Sequence, residues 1–403
     1  MIGLETATRF GACLRVIGIG GAGGNALNTM IERGLRGVDF IAANTDIQAL
    51  AANRAPIKIQ LGRELTRGLG SGADPTVGQR ATEESLEELR EVLAGSDMVF
   101  ITAGMGGGTG TGGAPVVARL AQELGALVVA IVTKPFHWEA RHRMQIAEAG
   151  IAELRKHVDA LIVVPNQRLL SIIDRHTSVR EAFQRVDEVL YNATRGIADI
   201  ISGCGYINVD FADVRTVMKG MGDALMGMGR ARGEHRAVEA AQNALNSPLL
   251  EGISIAGARG VLVNITGGAD LTMYEVAEAM QLIEEAAGSE TNLIHGIVME
   301  EEPSEEISIT LVATGFHAAV QQPVQEETRQ HSAVAPAVEE LKVAVGGGGS
   351  YTVRPIPASS PVGAQELQKY DEPAYLRRGG LKASSPADSS TLDRPAFLRK
   401  LMD

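Results

Sequence analysis

The 403-residue chain sets 37 Lys and Arg against 49 Asp and Glu, a formal charge of -12, which argues against a general affinity for nucleic acid or anionic lipid. It is long enough to bury a sizeable core in more than one domain, and its two cysteines, Cys13 and Cys204, give neither a disulfide framework nor zinc-ligand spacing. No apolar run approaches bilayer length and the N-terminus lacks a signal-like apolar core, so a soluble protein of a reducing cytoplasm, without membrane insertion, is expected.

In chain order, β-rich runs alternate with helical patterns: Leu14 to Ile19, Val38 to Ala43, Met98 to Ala103, Leu127 to Val132 and Leu161 to Val164. The alternation predicts an α/β fold with a doubly wound parallel sheet, whose ligands bind beyond the carboxyl ends of the strands. From Val179 to Ser202 a period near 3.6, carried by Val179, Phe183, Val186, Leu190, Ala193, Ile197 and Ile201, predicts one long, largely buried helix. Helical patterns at 237–245 and 273–287, with strand-like runs at 258–266, 293–299 and 307–313, predict a second α/β domain joined through that helix. Beyond Phe316 the sequence turns to Gln, Glu, Pro and Ala, then to Gly346-Gly-Gly-Gly-Ser350, a composition too poor in apolar residues to fold. This tail repeats itself. Asp371-Glu-Pro-Ala-Tyr-Leu-Arg-Arg378 is echoed by Asp393-Arg-Pro-Ala-Phe-Leu-Arg-Lys400, which reads as a docking peptide presented twice.

Two glycine loops carry the chemistry. Gly104 to Gly113 places seven glycines and two threonines in ten residues directly after a strand, followed by a helix predicted to begin near Pro115. A strand, a glycine loop and a helix N-terminus together cradle phosphate, because backbone N–H groups become accessible and the helix end adds partial positive charge. Packing would explain one or two glycines and leaves seven unexplained. The second loop, Gly18 to Asn25, contains GxGxxG at Gly18, Gly20 and Gly23, with Asp39 near the spacing of a dinucleotide fold's ribose-binding acid. An NAD-dependent oxidoreductase is therefore a rival reading, although it leaves Gly104 to Gly113 unused. No Gly-Lys pair occurs anywhere, which excludes a Walker P-loop.

The run Gly106-Gly-Gly-Thr-Gly-Thr-Gly112 resembles the tubulin signature in its bacterial form, and the chain resembles the FtsZ family of tubulin-like GTPases from about residue 12 to 316 and again at the C-terminal peptide. Gly20-Gly-Ala-Gly-Gly-Asn25, Ala43-Asn-Thr-Asp46, Gly72-Ala-Asp-Pro75, Thr133-Lys-Pro-Phe136 and Asn208-Val-Asp-Phe-Ala-Asp213 come in the family's order. The resemblance implies that Gly20, Gly21, Ala22, Gly107, Gly108, Thr109, Gly110 and Thr111 serve the phosphates, with Mg²⁺, and that Arg143 contacts phosphate. Glu139 and Asn166 would meet the ribose, Asn25 and Asp187 the guanine edge, and Phe183 would stack on the ring. No dedicated protein metal site is implied. For Phe183 a plain core role is the competing reading. For Asp187, one turn on along a mostly apolar face, an unpaired carboxylate is costly, which favours a ligand.

The loop before residue 214 holds Asn208, Asp210 and Asp213, and capping of the next helix is their simplest role. From Asp187 to Ser202 a helix rises roughly 22 Å at 1.5 Å per residue, so this loop cannot reach its own nucleotide. If these residues are catalytic, as the resemblance implies, they act on GTP held by a neighbour in a head-to-tail filament. The resemblance then implies a polymerising GTPase of bacterial cell division, located in the cytoplasm at the division site beneath the inner membrane. Its expected partners are further copies of itself and membrane tethers or regulators held by Asp393 to Lys400, with Asp371 to Arg378 as a second grip. The expected organisation is a GTP-binding domain (1–178), a central helix (179–202), a C-terminal activation domain (203–316), a disordered linker (317–370) and a docking tail (371–403). A tubulin-like filament with a role outside division is the alternative.

Overall fold

The computed structural model describes residues 11–316, apart from 171–175, 203–205, 208, 251–253 and 301, together with the backbone of 343–345 and 349–351. The chain divides at residue 324, and the described part of the second unit is an antiparallel pair of short strands, Val343–Val345 and Gly349–Tyr351. The two tail peptides and Asn208 lie outside the described residues.

The first unit begins with β1 (Leu14–Ile19), α1 (Gly20–Glu32), β2 (Asp39–Asn44), α2 (Ile47–Ala52) and β3 (Ile57–Gln60). Helices α3 (Arg63–Thr66), α4 (Pro75–Glu84) and α5 (Leu86–Leu93) lead to β4 (Met98–Gly104), α6 (Thr109–Glu123) and β5 (Leu127–Lys134). Then follow α7 (Arg141–Leu154), β6 (Ala160–Pro165), α8 (Asn166–Leu169) and the central α9 (Val179–Ile201). The remainder is α10 (Phe211–Met218), β7 (Gly222–Arg232), α11 (Arg236–Leu245), β8 (Gly260–Gly267), α12 (Met273–Ala287), β9 (Asn292–Met299) and β10 (Glu306–Thr314).

These strands form one sheet in the order β3-β2-β1-β4-β5-β6-β7-β10-β8-β9. Every pairing is parallel except the two made by β10. The two expected α/β regions thus share a sheet, joined where the first residues of β6 and β7 pair, Ala160 with Gly222 through Ile162 with Ala224. Strands β1, β4 and β5 are almost wholly buried, as continuous apolar runs covered by helices on both faces should be.

Helix α9 starts at a capping box, Ser178 with Glu181, and buries Val186, Leu190, Ala193, Ile197 and Ile201 as the periodicity predicts. The first turns of that stripe are not buried: Val179 is 70% exposed and Phe183 40%. Helix α6 begins at Thr109, six residues earlier than expected, with Pro115 inside it. Local propensity disfavours a helix through Gly110, Gly112 and Gly113, but α4 packs so closely here that larger residues would not fit. A Cβ on Gly112 would overlap the Pro75 carbonyl, and one on Gly113 would come 2.7 Å from Thr82 Oγ1.

Candidate nucleotide-binding site

At the carboxyl edge of the parallel strands, the loops after β1, β4, β5 and β6 enclose a cavity of about 260 Å³. Two helix N-termini open onto it. Helix α1 starts directly at Gly20, and a Cβ there would lie 3.1 Å from the Gly110 amide at the start of α6. Their unpaired first-turn N–H groups and aligned dipoles make the floor attractive to an anion. Gly107 has nothing within 4 Å of its would-be Cβ, so its backbone is open to an incoming group.

The glycines of this loop divide by cause. Among those of Gly104 to Gly113, only Gly106 needs positive φ, at 98°. A Cβ on Gly108 would come within 2.8 Å of Asp74 backbone atoms, and one on Gly110 within 2.8 Å of the Gly104 carbonyl. Most of the seven are therefore explained by protein packed behind the loop, and Gly107 by the open space in front of it. The expectation that packing could not account for them is corrected on this point.

Gly20, Gly21, Ala22, Gly107, Gly108, Thr109, Gly110, Glu139, Arg143, Asn166 and Phe183 all line the cavity. Glu139 accepts from the Phe136 amide at 2.9 Å and pairs with Arg143 at 2.8 Å, while Arg143 Nε donates to the Gly106 carbonyl at 3.4 Å. Asn166 is 5% exposed and its Oδ1 has no hydrogen-bond partner among the described residues, an acceptor that a ligand hydroxyl would satisfy. The half-exposed Phe183 ring meets Phe136 edge-on at 5.6 Å between centroids and is free to take a stacking partner. Thr111 faces the other way: it is buried, and its Oγ1 accepts from the Gly106 amide at 2.9 Å, bracing the loop from within. Asn25 lines an adjoining pocket of about 130 Å³ that shares Gly20 and Gly21.

Asp187 stands one turn beyond Phe183 on α9. Its carboxyl meets no hydrogen-bonding or charged partner among the described residues, and burial alone raises its pKa from 3.8 to about 7. Asp187 lines neither the cavity nor the adjoining pocket, and it neighbours the site only through Phe183 one turn earlier on α9.

Asp210 and Asp213 are on the opposite edge. Ser202, at the end of α9, packs on Gly37 just before β2, and Arg215 in α10 donates to the Gly125 carbonyl just before β5, both at amino ends of strands. From Leu127 to Thr133 in the pocket, β5 alone spans roughly 20 Å at 3.3 Å per residue. Asp210 caps α10 by accepting from Ala212 N–H at 3.2 Å, and Asp213 is exposed in its first turn. Asp39 opens β2, so it too lies at the amino edge, where it pairs with Arg15 at 3.8 Å. A dinucleotide fold needs its ribose acid at the carboxyl end of that strand, and Asn44 stands there instead. The site also includes Ser71, Met105, Thr133 and Pro135, which the sequence reading did not assign.

The Tubulin/FtsZ family GTPase domain matches residues 14–174, and the FtsZ family C-terminal domain matches residues 222–317. Among solved structures, an empty FtsZ dimer from M. jannaschii aligns at 43% identity and TM-score 0.73, covering 77% of this chain and 90% of that one. The chain belongs to the FtsZ family. A tryptophan-to-tyrosine mutant of FtsZ from M. jannaschii aligns equally well, at 43% identity and TM-score 0.73 over 76% of this chain and 92% of its own. CetZ2 from Haloferax volcanii, described as a GTPγS-bound protofilament, shares the fold at 23% identity and TM-score 0.64, over 76% of this chain and 94% of that one. The protein is thus a Tubulin/FtsZ-type GTPase that binds guanine nucleotide, and its two glycine loops, both within the matched GTPase domain, line the cavity at the carboxyl edge.

Proposed function

We propose that this chain polymerises head to tail with GTP between subunits, as a filament of cell division, and that the acid loop of one subunit hydrolyses the nucleotide of the next. The observation that carries the reading is the separation of the two halves of the site. The phosphate-binding loops occupy the carboxyl edge, and the exposed Asp210 and Asp213 occupy the amino edge. A single chain cannot bring them together, whereas a heterologous contact between opposite edges does so and repeats without limit.

In this reading Gly20, Gly21, Ala22, Gly107, Gly108, Thr109 and Gly110 wrap the phosphates, with Thr111 fixing the loop and Arg143 supplying charge. Glu139 and the unpaired Asn166 amide oxygen take the ribose hydroxyls. Phe183 stacks on the base, and Asn25 and Asp187 read guanine, whose N1–H and 2-amino donors suit a carboxylate that adenine's N1 acceptor would repel. Asn208, Asp210 and Asp213 of the neighbour orient the attacking water. Mg²⁺ fits only as a companion of the phosphates: no cluster of three His, Cys, Asp or Glu among the described residues could hold it, so phosphate oxygens and water would form its shell. Its contribution would be neutralisation of charge on the phosphoryl oxygens.

Among the described residues no helix is long and apolar enough to cross a membrane. We assign the filament to the cytoplasmic face of the division site, tethered through Asp393 to Lys400 with Asp371 to Arg378 as a second grip, so that avidity rather than insertion holds it there. The test is the GTP hydrolysis rate per molecule against protein concentration, with light scattering on the same samples. A rate near zero below a threshold, rising together with scattering, supports a site completed between subunits. A concentration-independent rate places the whole site within one chain and overturns the reading.

A further inference from the structure

Thr45 follows β2 and is fully buried, outside the nucleotide cavity. Its Oγ1 lies 2.6 Å from Oγ1 of Thr109, and Ser71 Oγ lies 3.0 Å from that same oxygen. Three hydroxyls from three different segments therefore meet at the N-terminus of α6. The backbone fixes Thr45 there: the Gly70 amide donates to the Thr45 carbonyl at 3.3 Å, and the Ile47 amide to the Gly68 carbonyl at 3.1 Å. Thr109 and Ser71 reach the cavity wall, and Thr45 supports them from behind.

Proton counting makes this arrangement directional. A hydroxyl has one O–H to donate and two lone pairs to accept with, and a phosphate oxygen can only accept. If Thr109 donates to phosphate, its two lone pairs are free for two incoming donors, and the two neighbours within reach are Thr45 and Ser71. If Thr109 donates to Thr45 instead, the phosphate loses a donor. Among the described residues the Thr45 hydroxyl has Thr109 as its one partner, so nothing else competes for its proton.

We propose that Thr45 is a positioning residue for the nucleotide: by donating to Thr109 Oγ1 it turns the Thr109 proton toward the phosphates. The inference rests on the assignment of the cavity to GTP. A purely packing role for Thr45 makes the opposite forecast for two conservative changes. Thr45→Val keeps the shape and loses the hydroxyl, while Thr45→Ser keeps the hydroxyl and loses a methyl from a buried site.

The experiment measures GTP and GDP affinity, steady-state kinetics and nucleotide-free melting temperature for the full chain and both variants. Loss of one net hydrogen bond corresponds to a roughly 3- to 10-fold change. Thr45→Val should bind both nucleotides about that much more weakly, with a raised KM, a kcat within twofold and a melting temperature lowered by no more than one lost hydrogen bond explains. Thr45→Ser should bind as wild type even if it melts lower. Wild-type affinity in Thr45→Val, or Thr45→Ser binding as weakly as Thr45→Val, overturns the proposal and leaves the nucleotide assignment standing. Failure of the wild-type protein itself to bind GTP overturns both.

Discussion

Replacing Asp187 with asparagine should stabilise the nucleotide-free protein while damaging its recognition of GTP. Burial raises the carboxyl pKa from 3.8 to about 7, so between these values the folded chain holds a proton that the unfolded chain has released. Stability therefore falls as pH rises from about 4 to 7, is fully penalised above 7, and carries no penalty below the unfolded value. Three pH units at 1.36 kcal/mol each set an upper figure of about 4 kcal/mol, and the partial exposure of the group lowers the expected gain to roughly 1–3 kcal/mol. Thermal melts without nucleotide should show Asp187→Asn several degrees above wild type at pH 8 and level with it near pH 4. Binding moves the other way. Loss of charge-assisted bonds to two guanine donors, each worth about 1.5–3 kcal/mol, should weaken GTP at least tenfold. XTP, whose 2-oxo group accepts where guanine's amino group donates, should bind the variant better than GTP does. Equal melting of the two proteins at pH 8, or undiminished GTP affinity, would defeat this account of Asp187.

Asp213→Ala should reduce GTP turnover at least 100-fold and leave the GTP affinity of the monomer intact; loss of binding would place the acid loop in the chain's own pocket. Gly78→Ala should lower the melting temperature through an overpacking cost of about 1–3 kcal/mol, because its Cβ would overlap the Gly108 carbonyl, and should also weaken GTP by displacing the phosphate loop. A fully wild-type nucleotide affinity in that variant would show that α4 does not set the loop. Arg236 is 7% exposed and holds Glu275 at 2.7 Å, Asp270 at 2.9 Å and the Ser304 carbonyl, so Arg236→Ala should cost about 3 kcal/mol, read as a loss of denaturant midpoint. The same cluster holds the Asp270 and Glu275 carboxyls below their usual pKa, Asp270 mainly through the Ser304 amide and Glu275 mainly through Arg236. Its contribution should be complete above the usual carboxylate range and fade as pH falls through the depressed values.

Strands β1, β2, β4, β5 and β6 were readable because continuous apolar runs between turn residues have few other uses, and α9 because its period holds over 23 residues, whereas β3, the short alternating run Ile57-Lys-Ile-Gln60, was missed. Strand β7 was not readable. Gly227 and Gly229 interrupt it, and they are there because α11 approaches so closely that a Cβ on either would overlap the carbonyls of Ala244 and Ala240. The start of α6 was hidden for the same reason: glycine demanded by a neighbouring helix looks locally like a loop. Resemblance pointed to the residues of the pocket, while the sequence alone could not reveal that Phe183 is turned out of the core or that Asn166 keeps an acceptor unpaired. Thr45 and Ser71 were missed because they meet Thr109 from positions 64 and 38 residues away in the chain, and no local pattern encodes that meeting.

The β6 to β7 junction has only three paired residues, whereas β7 and β10 pair over nine. On either side, one apolar cluster draws its buried members only from residues 17–161 and another only from residues 237–313. The third cluster, containing the buried face of α9, is the one that crosses the seam. Each flank therefore has an interior of its own beside the shared one, and local opening is expected to follow that division. Amide exchange should then release the second flank as a block while bound nucleotide protects the first. Because the shared cluster joins residues of both flanks to the central helix, a change on one flank that alters the surface offered to that helix should be felt on the other.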